Sequence, residues 1–161
     1  MKTIYSFLVI LAMSVSCFAQ TPKSTTRAIQ SNEEVFKFLE DFNKNEINTY
    51  IGGPASSLYY RLKNSPFNIQ HMSTIPSNIW REGDGKNYVL GVILYNMPIQ
   101  EIEKNAEAIT VYIWLNIDKH FIEEWKFWKD LPKKNWMEGI LNQTKNYYVT
   151  DFQFKKMRIG E

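Results

Sequence analysis

The chain has 161 residues, of which 44% are hydrophobic and 22% charged, so it is long and apolar enough to form one domain with its own core. A total of 19 Lys and Arg residues against 17 Asp and Glu residues leaves a formal net charge of +2, with the two signs interspersed, and this balance argues against a nucleic-acid-binding protein. The single cysteine, Cys17, excludes an intramolecular disulfide framework.

The first 19 residues have the pattern of a secretory signal peptide. Lys2 precedes an apolar run that ends at Val15, and this run is shorter than the roughly 20 residues that a membrane span needs. Small side chains stand at the last and third-last positions before Gln20, at Ala19 and Cys17. The pattern predicts cleavage between Ala19 and Gln20, a thiol-free mature chain, and export to the periplasm, cell surface or surroundings of a bacterial cell.

An alternative interpretation of the same leader is lipoprotein processing at Cys17. Cys17 closes the apolar run and follows the small residue Ser16, but Ser14 stands where the lipoprotein signal usually has leucine. Residues 20–30 suit either a flexible terminus or a tether, so a lipid anchor is the one membrane association that the sequence suggests. Residues 31–161 are then predicted to form a single domain.

Two helices are predicted at the start of this domain. Ser31 and Glu34 have the spacing of a capping box, and apolar residues then recur on one helical face, at Val35, Phe38, Leu39 and Phe42. This pattern predicts a helix over residues 32–43. Pro54 follows two glycines and suits the first turn of a helix, which predicts a second helix over residues 54–63.

The middle of the chain has the patterns of strands. Residues 67–73 and 78–82 are the weaker candidates, and a glycine-rich link joins them to a strand at 88–95 that is apolar on both sides and therefore central. Residues 109–117 alternate aliphatic side chains with Thr110, Tyr112, Trp114 and Asn116. One face of the predicted sheet is therefore aliphatic, and the other is polar and aromatic.

Helical spacing then returns before a last strand. Phe121, Trp125 and Trp128 predict a short helix or helical loop that ends near Leu131. Asn135, followed three residues later by a glutamate, is the predicted N-cap of a helix over 135–145. Residues 148–155 alternate as a strand, and the slip of this rhythm at Met157 predicts a β-bulge there.

These elements predict an α+β domain in the order α-α-β-β-β-α-β, with an antiparallel sheet of about four to five strands and the helices packed on one face. The element order is similar to that of cystatin-like and NTF2-like secreted domains. The helix pair before the strands also resembles small outer-membrane lipoproteins of the BamE kind. Because the likeness is one of element order, it implies a fold and does not transfer a function.

The sequence contains no catalytic or cofactor-binding motif. It has no zinc-protease His-Glu-x-x-His, no Gly-x-Ser-x-Gly elbow, and no phosphate-binding or dinucleotide-binding glycine pattern. The densest group of titratable residues is Asp118, His120, Glu123 and Glu124, and the only other histidine is His71. The sequence therefore favours a protein without catalysis, bound metal or cofactor.

The tryptophan-rich part of the chain is the candidate contact region for a partner protein or a small ligand: Trp114, Trp125, Trp128 and Trp136, with His120 beside them. The leading hypothesis is an exported, non-enzymatic binding or interaction module of the bacterial envelope. It would use either the polar and aromatic face of the sheet or the segment 125–136. The alternatives are a small pocket hydrolase or isomerase of the NTF2-like or cystatin-like kind, with His71 or His120 as base, and a structural lipoprotein anchored at Cys17.

Overall fold

The computed structural model describes residues 31–76, 88–104, 106–117, 123–132 and 135–158, without the side chains of Glu124 and Trp125. The predicted leader with Cys17, Ala19 and Gln20, the predicted strand at 78–82, and His120 lie outside the described residues. The elements are listed in chain order: α1 (Asn32–Asn45), the 3-10 turn η1 (Ile47–Thr49), α2 (Ala55–Lys63), β1 (His71–Pro76), β2 (Val89–Tyr95), α3 (Ile99–Ile102), β3 (Ala108–Leu115), α4 (Glu124–Lys129), α5 (Trp136–Thr144) and β4 (Val149–Met157).

The strands form one antiparallel sheet in the order β1-β2-β3-β4, so that each strand pairs with the next strand along the chain. This confirms the predicted α+β class with an antiparallel sheet. None of the helices in the described ranges has the length and hydrophobicity of a membrane span.

One face of the sheet carries the core. Met72 of β1 lies opposite Leu94 of β2, Leu94 lies opposite Val111 of β3, and Val111 lies opposite Phe154 of β4. Helix α1 covers this face with its buried residues Val35, Leu39 and Phe42, and helix α2 adds Ala55, Leu58, Tyr59 and Leu62. Each helix can bury only one stripe of side chains, so the apolar stripes of α1 and α2 both pack into this single core.

Helix α1 begins as predicted and ends two residues later than predicted. The Ser31 hydroxyl accepts a hydrogen bond from the Glu34 amide, and the Glu34 carboxylate accepts one from the Ser31 amide, which forms the capping box. After the helix, Glu46 receives two hydrogen bonds from the guanidinium of Arg61 on α2, at 2.9 Å each. This pairing lowers the pKa of Glu46 and joins the end of α1 to α2. Helical periodicity does not predict this contact, because the two residues belong to different helices.

Helices α2 and α5 are joined by a buried hydrogen-bond chain. The Thr144 hydroxyl donates to the carbonyl of Ile140 at 2.7 Å, so its one proton is used and it accepts from the Tyr59 hydroxyl at 2.9 Å. Burial raises the pKa of Tyr59, so this phenol stays neutral and acts as a donor.

Strand β1 begins later than predicted, because a turn uses the residues before it. The Ser65 hydroxyl donates to the carbonyl of Leu62 and accepts from the amide of Phe67, and Asn68 has a left-handed backbone with φ 45°. Such local hydrogen bonds compete with strand pairing. The predicted strand at 67–73 is therefore observed as His71–Pro76.

Two local predictions near the end of the chain were wrong in detail. Asn135 precedes α5 as predicted, but its side chain makes no capping bond and its backbone is left-handed, at φ 61° and ψ 39°, which asparagine tolerates. The predicted bulge at Met157 is absent, since Met157 pairs regularly with Ala108. The register shift lies instead between Trp114 and Leu115 of β3, which pair with the start of β4. There the backbone of Val149 also bonds to Gly52 and Gly53.

Candidate functional site

The face of the sheet that points away from the core is the polar–aromatic face. It is defined by alternate residues on all four strands: His71, Ser73, Ile93, Tyr95, Thr110, Tyr112, Trp114, Asp151, Gln153 and Lys155. Successive side chains of a strand point to opposite faces, so the same alternation that buries Val111 and Ile113 places Tyr112 and Trp114 here. Both of these aromatic side chains are partly exposed.

A cation and two aromatic rings stack at the centre of the polar–aromatic face. The rings of Tyr112 and Trp114 are 5.8 Å apart between centroids and 23° from parallel. The ammonium nitrogen of Lys155, on the neighbouring strand, lies 4.9 Å from the centroid of Tyr112. A cation–π contact of this kind contributes about 0.5–1 kcal/mol at an exposed site.

Tyr95 continues this arrangement toward strand β1. Its hydroxyl lies 3.2 Å from the hydroxyl of Ser73. Burial raises the pKa of Tyr95, although the bond to Ser73 partly opposes the shift. The phenol is therefore a neutral group that can both donate and accept hydrogen bonds.

His71 fills an aromatic junction between β1 and α5. Its ring centroid is 5.2 Å from that of Tyr95 and 4.9 Å from that of Trp136. Burial lowers the pKa of His71, and the negative charge of Glu103 opposes this shift. Within the described part of the chain, no hydrogen bond or ion pair joins His71 to a carboxylate.

The lowered pKa of His71 predicts a loss of stability in mild acid. As the pH falls through 6.5, the ordinary value, the unfolded chain binds a proton at His71 before the folded chain does, which favours unfolding. Stability from the neutral ring should be complete above that pH and should decline below it. Urea unfolding at pH 7.5 and pH 5.5 measures this decline, and His71→Phe, which keeps an aromatic ring without a titration, should show a smaller one. An equal decline in both proteins would show that the protonation of His71 does not cause the loss of stability.

The sequence-predicted contact residues do not form one group in the part of the fold that the structure describes. Trp114 lies on the polar–aromatic face beside Tyr112, Trp136 of α5 packs against His71 at the β1 edge of the sheet, and Trp128 is 39% exposed on α4. The side chain of Trp125 and the whole of His120 lie outside the description. The use of these tryptophans for binding therefore stays a prediction.

Sequence reasoning did not single out Tyr95, Ser73 and Lys155, and it placed Tyr112 on the polar and aromatic face without naming it as a contact residue. The alternation around Trp114 already placed Tyr112 on the same face, and this signal could have singled it out. Lys155 could not be assigned in this way, because its contact with Tyr112 depends on the register between β3 and β4.

The described titratable residues contain no metal-binding group of three or more His, Cys, Asp or Glu side chains. Of the predicted acidic group near residue 120, Glu123 pairs with the ammonium of Lys126 at 2.7 Å. This contact gives the Glu123 carboxylate, which lies just before α4 and is 13% exposed, a cationic partner.

Together these features define an α+β protein in which a four-stranded antiparallel meander has one face in the core and an ordered aromatic and charged array on the other. No family model matches the chain, and comparison with curated proteins and with solved structures found no match. The functional argument therefore depends on the geometry of the polar–aromatic face.

Proposed function

We propose that this chain is an exported, non-enzymatic binding module that contacts a partner protein of the bacterial envelope through the polar–aromatic face. The observation that carries the proposal is the stack of Lys155, Tyr112 and Trp114 on strands whose other side is the core. Tyrosine and tryptophan supply large contact area at a low cost in side-chain entropy, and they dominate the energetics of protein interfaces.

The charges on this face favour a protein as the partner. Asp151 and Lys155 lie on the same side of β4, four residues apart, with the Gln153 amide between them. Opposite charges at the two ends of an aromatic group orient a partner that carries the complementary pair. A face that combines these charges with the Tyr95 and Ser73 hydroxyls matches the usual composition of a protein interface, with aromatic residues at its centre and polar groups at its rim.

The proposal predicts that capture of a partner depends on two aromatic side chains. The tagged wild-type chain, expressed in its native cell, should retain a partner that the Tyr112→Ala/Trp114→Ala variant loses, with affinity for that partner reduced at least about 30-fold. Titration of the identified partner against both purified proteins gives this ratio. Circular dichroism melting of both proteins shows whether the double variant is folded.

Two further variants sharpen this test. Tyr60→Ala removes an aromatic ring that is 74% exposed on α2, outside the polar–aromatic face, and should leave binding unchanged. Trp128→Ala tests the other predicted contact region, the segment 125–136. Loss of the partner with Trp128→Ala and not with the double variant would move the site to that segment and contradict the proposal.

Export itself is part of the proposal and depends on the leader. The mass of the mature N-terminus distinguishes its two forms of processing, because a free chain that begins at Gln20 excludes an acylated Cys17. An acylated Cys17 would instead support the lipoprotein alternative, in which the same domain is held at a membrane.

A further inference from the structure

The pairing of β4 with β3 shows which backbone groups of β4 point outward, away from the sheet. Asn116 donates its amide hydrogen bond to the carbonyl of Tyr148, so the backbone of Asn116 points toward β4. The backbone groups of alternate residues along β3 therefore also point toward β4, and these residues lie opposite Asp151, Gln153, Lys155 and Met157. The backbone groups of the intervening residues, Phe152, Phe154 and Lys156, therefore point away from the sheet.

Other parts of the described chain satisfy only the beginning of this edge. Val149 exchanges hydrogen bonds with Gly52 and Gly53, but beyond it β4 pairs only with β3 among the residues that the structure describes. At Phe152 the strand caps itself, since the Asp151 carboxylate accepts the Phe152 amide proton at 2.7 Å. An edge of this length is a template for pairing with another strand.

We propose that β4 pairs antiparallel with β4 of a second copy of this chain, in a register centred on Gln153. In this register Phe152 of each copy exchanges backbone hydrogen bonds with Phe154 of the other copy. Asp151 of each copy then lies directly opposite Lys155 of the other, and the two-fold axis makes this pair twice. The occupant of the edge is therefore the chain itself.

The charges of β4 select this register. A register centred on Lys155 would set two ammonium groups face to face, which is unfavourable. A register centred on Phe154 would place Lys155 opposite Gln153 and leave the charge of Asp151 without a partner. Only the register centred on Gln153 joins opposite charges, and it does so at non-hydrogen-bonded positions, where facing side chains are closest.

The backbone amide and the carboxylate that the pairing separates each find a new partner. The Phe152 amide exchanges the Asp151 carboxylate for the Phe154 carbonyl of the second copy, and the freed carboxylate reaches Lys155 of the second copy. Within one copy, Asp151 and Lys155 are four residues apart on an extended strand, or roughly 13 Å, so they cannot form this pair without a second copy.

The pairing joins two four-stranded sheets into one continuous sheet. A two-fold axis perpendicular to the sheet keeps the polar–aromatic faces of both copies on the same side. The inference goes beyond the proposed function, because the backbone pairing at the β4 edge does not involve Tyr112 or Trp114. Of the polar–aromatic face, Asp151 and Lys155 then pair across the axis, and the two rings remain for a partner. The inference also predicts that a binding surface on this face is presented twice, side by side.

A charge exchange tests the register. Sedimentation velocity across a range of concentrations should show a dimer for the wild type, with dissociation constants raised at least about tenfold for Asp151→Lys and for Lys155→Asp. The double variant D151K/K155D restores opposite charges across the axis and should recover dimerisation. A wild type that is monomeric throughout would overturn the proposal. Equal association in all four proteins would also overturn it.

A crosslink provides a second measurement that does not depend on charge. Facing residues at a non-hydrogen-bonded position have Cα atoms about 4.5 Å apart, within the range that a disulfide spans. In a Cys17→Ser background, Gln153→Cys should form a covalent dimer on mild oxidation. The control Asn142→Cys, exposed on α5, should stay monomeric. Absence of the Gln153→Cys crosslink, or equal crosslinking of both variants, would overturn the register.

Discussion

Replacing Phe42 by alanine is expected to lower the free energy of unfolding by about 2–5 kcal/mol, and the same range is expected for Ile113→Ala. Phe42 is 1% exposed, and its ring meets those of Phe152 and Tyr50 at 5.6 Å each. Ile113 is 0% exposed in the strand that α1 covers. Each truncation removes buried apolar surface and leaves a cavity that the sheet and α1 can close only in part.

Urea unfolding of each variant beside the wild type measures this loss. Tyr60→Ala is the control, because a side chain that is 74% exposed should change the free energy of unfolding by no more than about 0.5 kcal/mol. Unchanged midpoints for Phe42→Ala and Ile113→Ala would show that the core lies elsewhere.

Replacing Gly91 by alanine is expected to destabilise the protein by about 1–3 kcal/mol or more, although it adds a single methyl group. A Cβ atom at Gly91 would overlap the carbonyl oxygen of Ile113 and lie 3.0 Å from the Cα of Trp114. These atoms belong to the backbone of β3, so they cannot rotate away as a side chain could. The added methyl group must push β2 and β3 apart at the centre of the sheet.

Thermal and urea unfolding of Gly91→Ala test this prediction against Gly53→Ala. At Gly53 the nearest atom to a Cβ would be the Tyr50 carbonyl oxygen, at 3.2 Å, so a shift of a few tenths of an ångström should suffice and the loss should be smaller. If Gly91→Ala unfolds with the wild-type midpoint, the two central strands do not approach each other as closely as the structure shows.

Much of the fold could be predicted because its strongest signals are local. The capping box at Ser31 and Glu34 depends on spacing within one turn, and the alternation around Tyr112 depends on the geometry of a single strand. Such patterns require no knowledge of what packs against them. The class of fold, its two helices before the sheet and its two-faced strand β3 were therefore accessible from the residues.

The errors occurred where a long-range contact or the backbone conformation, rather than residue spacing, decided the local structure. The sequence predicted an irregularity of β4 at Met157. The observed register shift lies near Val149 instead, where residues 52–53 bond to the start of β4. The capping role predicted for Asn135 did not form, because its backbone turns into the left-handed region before α5. Neither outcome follows from the spacing of neighbouring residues.

The sequence by itself determined which residues seek the interior, which strand has two unlike faces, and where helix α1 starts, since each of these depends on side-chain chemistry repeated at short range. Only the tertiary structure decided that Lys155 stacks on Tyr112, that His71 lies between Tyr95 and Trp136, and that β4 forms an edge. These three features depend on strand order and register, which long-range packing of the whole chain sets and which no single segment encodes.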